Sequence, residues 1–255
     1  MGTVAALSVR GASPTECGEM RGAVRTVYAS LAAKLNAWNP ESELSRLTTT
    51  NGWAAHVSPE VRPCYAAAFQ LMAESERAFN PLLAAELRAR GFTRNAVLVD
   101  LGAIAKGFAV DCAYAALLTD GPAATDFLLD LGGNLRAGGG VWTVGVRNPF
   151  GSGLCATVEL HPGEALATSG TYARGNHILD GRTGETAASG VASVTVLAPS
   201  AMLADGLSTT LFVLGVEDGR QFLARHYPTV CAFWVLSDGR AETFDTSHRF
   251  SRQNP

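Results

Sequence analysis

From residue 126 onward the chain breaks into short apolar runs closed by Gly, Pro or Asn: "DFLLDLGGN", "WTVGVRNP", "CATVELHPG", "VASVTVLAP" and "VCAFWVLSDG". Short runs of this kind, fenced by turn formers, predict strands. Between them "SAMLADGLSTTLFVLG" and "EDGRQFLARHY" predict helices. Upstream, Val24, Val27, Tyr28, Leu31, Leu35 and Trp38 recur at helical spacing, and "PCYAAAFQLMAESERAF" continues in the same style, so the first third reads as mostly helical. The sum is an α+β chain, a single mixed domain over residues 1–255, with a largely antiparallel sheet flanked by helices.

Composition narrows the function classes. At 255 residues and 47% hydrophobic content the chain can bury a substantial core. A net charge of -3 gives no electrostatic reason to expect nucleic acid or an anionic membrane as partner. The five cysteines (Cys17, Cys64, Cys112, Cys155 and Cys231) are odd in number, scattered and without a CxxC pair, so free thiols are expected rather than a disulfide framework or a zinc site. No apolar run reaches membrane-spanning length. The start shows neither a basic leader nor a lipid-attachment cysteine; the expectation is a cytoplasmic protein, or a periplasmic one if an export signal has been trimmed.

Three stretches carry possible chemistry. In "ADGLSTTLFVLG", Asp205, Ser208 and Thr209 stand at i, i+3 and i+4, one face of a helix, where hard oxygens would suit Mg2+. The same residues could instead serve the helix itself, Asp205 through the dipole and the hydroxyls by bonding back to carbonyls. In "VDLGAIAKGFAVD" a short strand is expected to end at Asp100, Gly102 and Ala103 to form a turn, and a helix to begin near Ala105. That leaves backbone amides and Lys106 for an anionic ligand; the bland alternative is a tight connection with a solvated lysine. In "ALATSGTYARGNHILDGRTG", Thr168, Ser169 and Thr171 flank Gly170, His177 precedes Asp180 by three, and Arg174 or Arg182 could neutralise phosphate; the alternative is an ordinary polar loop.

The order of these segments, together with "LNAWNPESELSRL" and "LLDLGGNLRAGG", resembles the ApbE family of FAD:protein FMN transferases over roughly residues 1 to 245. The resemblance implies a Mg2+-dependent enzyme that moves FMN from FAD to a threonine hydroxyl of a target protein through a phosphoester bond, releasing AMP. It implies side-chain metal ligands at Asp205 and Thr209 with Ser208 close by, and a main-chain ligand at Ala103. It implies FAD contacts at Asp100, Lys106 and Ser42, a flavin-contacting strand at Ala78, Phe79 and Asn80, a close backbone approach at Gly132 and Gly133, and a turn against the cofactor at Thr168, Ser169 and Gly170. A hairpin turn is the simpler alternative for Gly132 and Gly133. Lys106 would offset phosphate charge, His177 would deprotonate the acceptor threonine or shape the flavin pocket, and Asp180 would orient His177.

The implied partner is an acceptor protein with an Asp-Gly-x-Ser/Thr-Gly-Ala-Thr-like motif. Where the family usually has Asp-Pro-Thr, this chain reads Asn80-Pro81-Leu82, and Gly181 replaces a common proline. Two other functions use the same residues: hydrolysis of FAD to FMN and AMP, or flavin binding without catalysis. Asp205→Ala is expected to abolish activity while leaving the fold largely intact.

Overall fold

The computed structural model describes residues 3–47, 56–92, 97–121, 126–171, 175 and 177–253. Its first third holds strand β1 (Ala5–Arg10) followed by helices α1 (Pro14–Leu35), α2 (Glu43–Arg46), α3 (Arg62–Glu74) and α4 (Ala84–Ala89). Helix α5 (Ala105–Asp120) then leads into β2 (Asp126–Leu131), β3 (Asn134–Gly138), β4 (Trp142–Arg147), β5 (Leu154–Leu160), β6 (Ala165–Gly170) and β7 (Val191–Ala198). Helix α6 (Ala201–His226) and strands β8 (Cys231–Leu236), β9 (Ala241–Phe244) and β10 (Phe250–Arg252) complete the described elements.

Seven strands form one sheet in the order β1-β2-β3-β6-β7-β8-β9, and three form a second in the order β10-β5-β4. The strand pairings within both sheets are antiparallel. The period of two along β8 shows how the layers are built. Ala232 and Trp234 join the helix-side core, whereas Cys231, Phe233 and Val235 face Trp142, Val146 and Val158 of the small sheet. Both faces of the large sheet are therefore covered, which is why β7 is buried along its whole length.

Helix α1 starts with a capping box between Ser13 and Glu16, and it stops at Leu35, short of Trp38. The two helical segments expected after residue 200 form one continuous element, α6, bent at Gly215, whose φ of 77° is outside the helical range. The expected strand into Asp100 is an irregular segment with a bend at Leu98 instead, pinned by Asp100 N–H donating to the Pro81 carbonyl at 2.7 Å. β1, β3, β6, β9 and β10 had no separate signal in the apolar pattern. No helix among the described residues is long and apolar enough to cross a membrane.

Helices α5 and α6 cross at very short range. A Cβ on Gly107 would lie 2.1 Å from the carbonyl oxygen of Ala201, so only glycine permits this approach. Each helix also caps the other. Asp111 of α5 accepts from the N–H groups of Ala201 and Met202 at 2.8 and 2.9 Å, while Asp205 of α6 accepts from Gly107 N–H at 3.0 Å. Free first-turn donors are thereby satisfied at both N-termini, and at α5 the local cap residue Ile104 makes no such bond. Burial pushes the Asp111 carboxyl up, against the pull of these donors and of Arg136, so the clamp carries a desolvation cost.

Gly107→Ala should lower the stability by at least about 2 kcal/mol, because the new methyl meets backbone that cannot rotate away. Gly22→Ala, at an exposed site in α1 with nothing within 4 Å of the added Cβ, should raise it by about 0.5–1 kcal/mol. Urea unfolding midpoints of the two variants distinguish these opposite signs.

Candidate functional site

A large cavity of about 860 Å3 lies where the α5 turn, the β2–β3 hairpin, β4, β6 and the start of α6 meet. That is at the upper end of small-molecule sites. Of the residues singled out in the sequence, Asp100, Ala103, Lys106, Gly132, Gly133, Thr168, Ser169, Gly170, His177, Asp205 and Thr209 all line it. They come from five separate segments, and the fold brings them together.

Asp205 is buried in the second turn of α6. Lys106 Nζ reaches its two oxygens at 2.9 and 3.1 Å, and Gly107 N–H takes the second as well. An ionised carboxylate has about four lone-pair sites, so three hydrogen bonds from these two donors leave room for one more partner. The same contacts overturn the expectation that Asp205→Ala leaves the fold intact. Truncation would strand the ammonium of Lys106 and the Gly107 N–H at a buried junction.

The hydroxyls beside Asp205 form a chain whose direction can be worked out. Ser208 Oγ donates to the Asp205 carbonyl at 2.9 Å, which uses its only proton. Ser169 Oγ must then donate to Ser208 Oγ at 2.8 Å, and Thr209 Oγ1 must donate to Ser169 Oγ at 3.1 Å. Thr209 is left with its lone pairs at the cavity wall. Ser208 is fully buried and does not reach the cavity, so the expectation that all three α6 side chains share one spot is corrected: Asp205 and Thr209 line it, and Ser208 backs them.

A hard divalent cation fits this donor set. Asp205 supplies a carboxylate with spare acceptor capacity, Thr209 an oxygen with unused lone pairs, and Ala103 a main-chain segment on the same cavity. Among the described residues no group of three or more His, Cys, Asp or Glu gathers as a metal centre, so a cation here would depend on these mixed oxygens.

On another part of the wall, His177 Nδ1 lies 3.0 Å from the Gly175 carbonyl, and its ring meets Phe92 edge-on at 6.1 Å. A carbonyl only accepts, so the neutral imidazole carries its proton on Nδ1 and its basic lone pair on Nε2. Asp180 does not orient this ring. Its carboxylate is held by Arg182, whose Nη2 is 2.7 Å from Oδ2, and this pairing keeps the carboxyl below the usual range. The short i, i+2 reach to a guanidinium fork explains the preference. Arg174 lies outside the described residues.

Three further expectations are corrected by position. Ser42 is fully buried as the N-cap of α2, accepting from Ser45 N–H at 3.1 Å, and does not line the cavity. Ala78 and Phe79 are buried in a turn rather than a strand and also lie off the cavity. Asn80, likewise away from it, donates to the Gly181 carbonyl at 2.8 Å and accepts from Leu82 N–H at 3.0 Å. The Asn80-Pro81-Leu82 departure thus shapes a turn that holds the segment after His177. Gly132 and Gly133 form the two-residue β2–β3 turn, with φ of 61° and 88°, and they line the cavity.

Sequence reasoning passed over Trp38, Phe92, Asp130 and Arg147, which also line the cavity. Trp38 was legible as the last member of a helical series, yet it lies beyond the Asn36 cap and is 48% exposed. Nothing in the local pattern around the other three marks them.

Asp100 has an electrostatic signature of its own. Burial raises its carboxyl, and the Gly102 N–H bond at 2.8 Å only partly opposes this. A carboxyl raised in the folded state penalises folding above the unfolded value of about 3.9, and the penalty vanishes below it. Asp100→Asn keeps the acceptor for Gly102 and should raise stability at pH 7, the gain shrinking to nothing as pH falls through the ordinary aspartate range. Denaturation of both proteins between pH 3.5 and about pH 7 reads this directly.

The ApbE family model matches residues 1–98 and 85–234. The FAD:protein FMN transferase of Rhodobacter capsulatus is 41% identical over 142 residues, which is 51% of this chain and 27% of that protein. The FAD:protein FMN transferase of Treponema pallidum is 37% identical over 164 residues, 56% of this chain and 44% of that protein. The matches therefore span less than half the length of these curated relatives. The crystal structure of the ApbE protein of Thermotoga maritima superposes with a TM-score of 0.82 at 26% identity, covering 99% of this chain and 97% of that one. The family match spans most of the chain, including the Lys106, Asp205 and Thr209 wall: this protein belongs to the ApbE family.

Proposed function

We propose that this protein transfers FMN from FAD to a threonine hydroxyl of a target protein, with Mg2+ and with release of AMP. The observation that carries the reading is the meeting of Lys106, Asp205 and Thr209 on one wall of a cavity in an ApbE-family chain. Relatives bearing the name FAD:protein FMN transferase support the choice of substrate.

The threonine oxygen forms a bond to the FMN phosphorus, the pyrophosphate P–O bond to AMP breaks with its electron pair leaving on AMP, and the threonine proton passes to His177 Nε2. Lys106 sets its positive charge beside the phosphates, where negative charge accumulates. Asp205 holds Lys106 in place and, with Thr209 and the Ala103 main chain, offers oxygens to the cation. Bound Mg2+ would supply further charge neutralisation at the phosphoryl oxygens. Gly132, Gly133 and Gly170 let backbone approach the cofactor, and Trp38 and Phe92 give the cavity aromatic surface for a flat ring.

The first test is mass spectrometry of a soluble domain carrying the acceptor motif after incubation with this protein, FAD and Mg2+, with EDTA and acceptor-free controls. The expected result is a mass gain equal to FMN with AMP released, both lost in EDTA. AMP and free FMN without acceptor modification would show a hydrolase, and tight FAD binding without products a flavin carrier.

Two variants probe the roles. Asp205→Asn retains an acceptor for Gly107 N–H while removing the charge that pairs Lys106, and should lower transfer by about a hundredfold or more together with a fall in melting temperature. His177→Ala should slow transfer by about 10²- to 10⁴-fold with FAD affinity retained. Loss of FAD binding would instead assign His177 to the flavin pocket.

A further inference from the structure

β1, β9, β4 and β10 are the edge strands of the two sheets, and among the described residues β4 is the edge strand that lines the cavity, through Val144, Gly145 and Arg147. The direction of its backbone groups follows from its neighbour. On β5, the Cys155 carbonyl accepts from Gln253 N–H at 2.8 Å and the Glu159 carbonyl from Arg249 Nη2 at 2.7 Å. Cys155, Thr157 and Glu159 therefore turn their backbone groups toward β10, and Ala156, Val158 and Leu160 turn theirs toward β4. The register sets those three opposite Val146, Val144 and Trp142. It follows that Thr143 and Gly145 point their N–H and C=O groups away from the sheet.

Both residues are exposed, and no described residue hydrogen-bonds to their outward backbone groups. Natural edges are guarded by charge, proline or a bulge. Here the bulge comes only at Val146 and Arg147, and the stretch from Thr143 to Gly145 has neither charge nor proline. Val141, Phe150 and Leu154, all exposed, add apolar surface along the β4–β5 hairpin.

We infer that the β4 edge at Thr143 and Gly145 is the docking rail for an extended segment of the acceptor protein, which adds as a strand and brings its hydroxyl residue into the adjoining cavity. The inference rests on the transferase reading, since that reaction requires a segment of another protein to enter a cavity walled by this edge. Backbone pairing supplies affinity with little demand on side chains, which suits an acceptor rich in small residues. At Gly145, on the cavity itself, the Leu154 side chain lies over the face where a Cβ would stand, and the backbone edge is left open for pairing.

The test is amide hydrogen exchange of this protein with FAD, Mg2+ and a soluble domain bearing the Asp-Gly-x-Ser/Thr-Gly-Ala-Thr-like motif. Exchange should slow at Thr143 and Gly145 when the domain is added. Thr143→Pro removes an outward N–H that β5 does not use, and should raise the Kd of the domain at least about tenfold, whereas Thr143→Val and the FAD affinity of both variants stay at wild-type values. Unchanged exchange at saturating domain, or wild-type affinity in a Thr143→Pro variant that still binds FAD, would overturn the inference. Protection that appears on concentrating this protein alone would overturn it in favour of pairing between two copies. Edge protection without any FMN transfer by the wild type would refute the transferase reading while leaving the rail in place.

Discussion

Two carboxylates exchanged between helices α5 and α6 hold the site in place. Asp111 reaches from α5 to the first N–H groups of α6, and Asp205 reaches back from α6 to the first turn of α5. The approach of Gly107 to the Ala201 carbonyl makes both spans short enough to close. Neither N-terminus is left to solvent, and Lys106 and Thr209 are fixed relative to each other because the helices that carry them are fixed. Arg136, bonded to Asp111 at 2.7 Å and to the Gly163 carbonyl at 3.2 Å, ties this junction to β3 and to the β5–β6 connection.

The large sheet supplies the other half of the arrangement. β6 sits beside β7 and beneath α6, so Ser169 meets Ser208 and Thr209, and Thr168 meets Thr195 at 2.8 Å. These polar contacts lie between two apolar cores, where an unpaired hydroxyl would be costly, and each hydroxyl finds another. The need to satisfy buried groups and the orientation of Thr209 toward the cavity are thus one physical fact. A residue with no direct access to ligand, Ser208, sets the proton direction for one that has it.

Much of this was legible before any coordinates. The short apolar runs marked five strands, because period-two burial against two layers demands such runs, and helical spacing located α1, α3 and α6. β6 was harder, since "ALATSG" mixes small apolar and hydroxyl residues and reads as a polar loop until its neighbours are known. Asp205 and Thr209 were found from spacing on one helix, and Asp100 and Lys106 from one turn. The failures share a cause. Ser42, Asn80 and Asp180 were plausible ligand residues whose polar atoms are consumed by backbone or by an adjacent guanidinium.

By itself the sequence determined the element types, the family pattern and the residues able to contact phosphate or a cation, because periodicity, turn chemistry and side-chain type are local properties. Tertiary structure decided which of those residues share a cavity, that Asp205 is both helix cap and partner of Lys106, and which way the hydroxyl chain runs. It also decided that Thr143 and Gly145 face outward on an edge strand. Such outcomes depend on contacts across nearly a hundred residues of chain, as between Lys106 and Asp205, and on which donors and acceptors other segments have already taken.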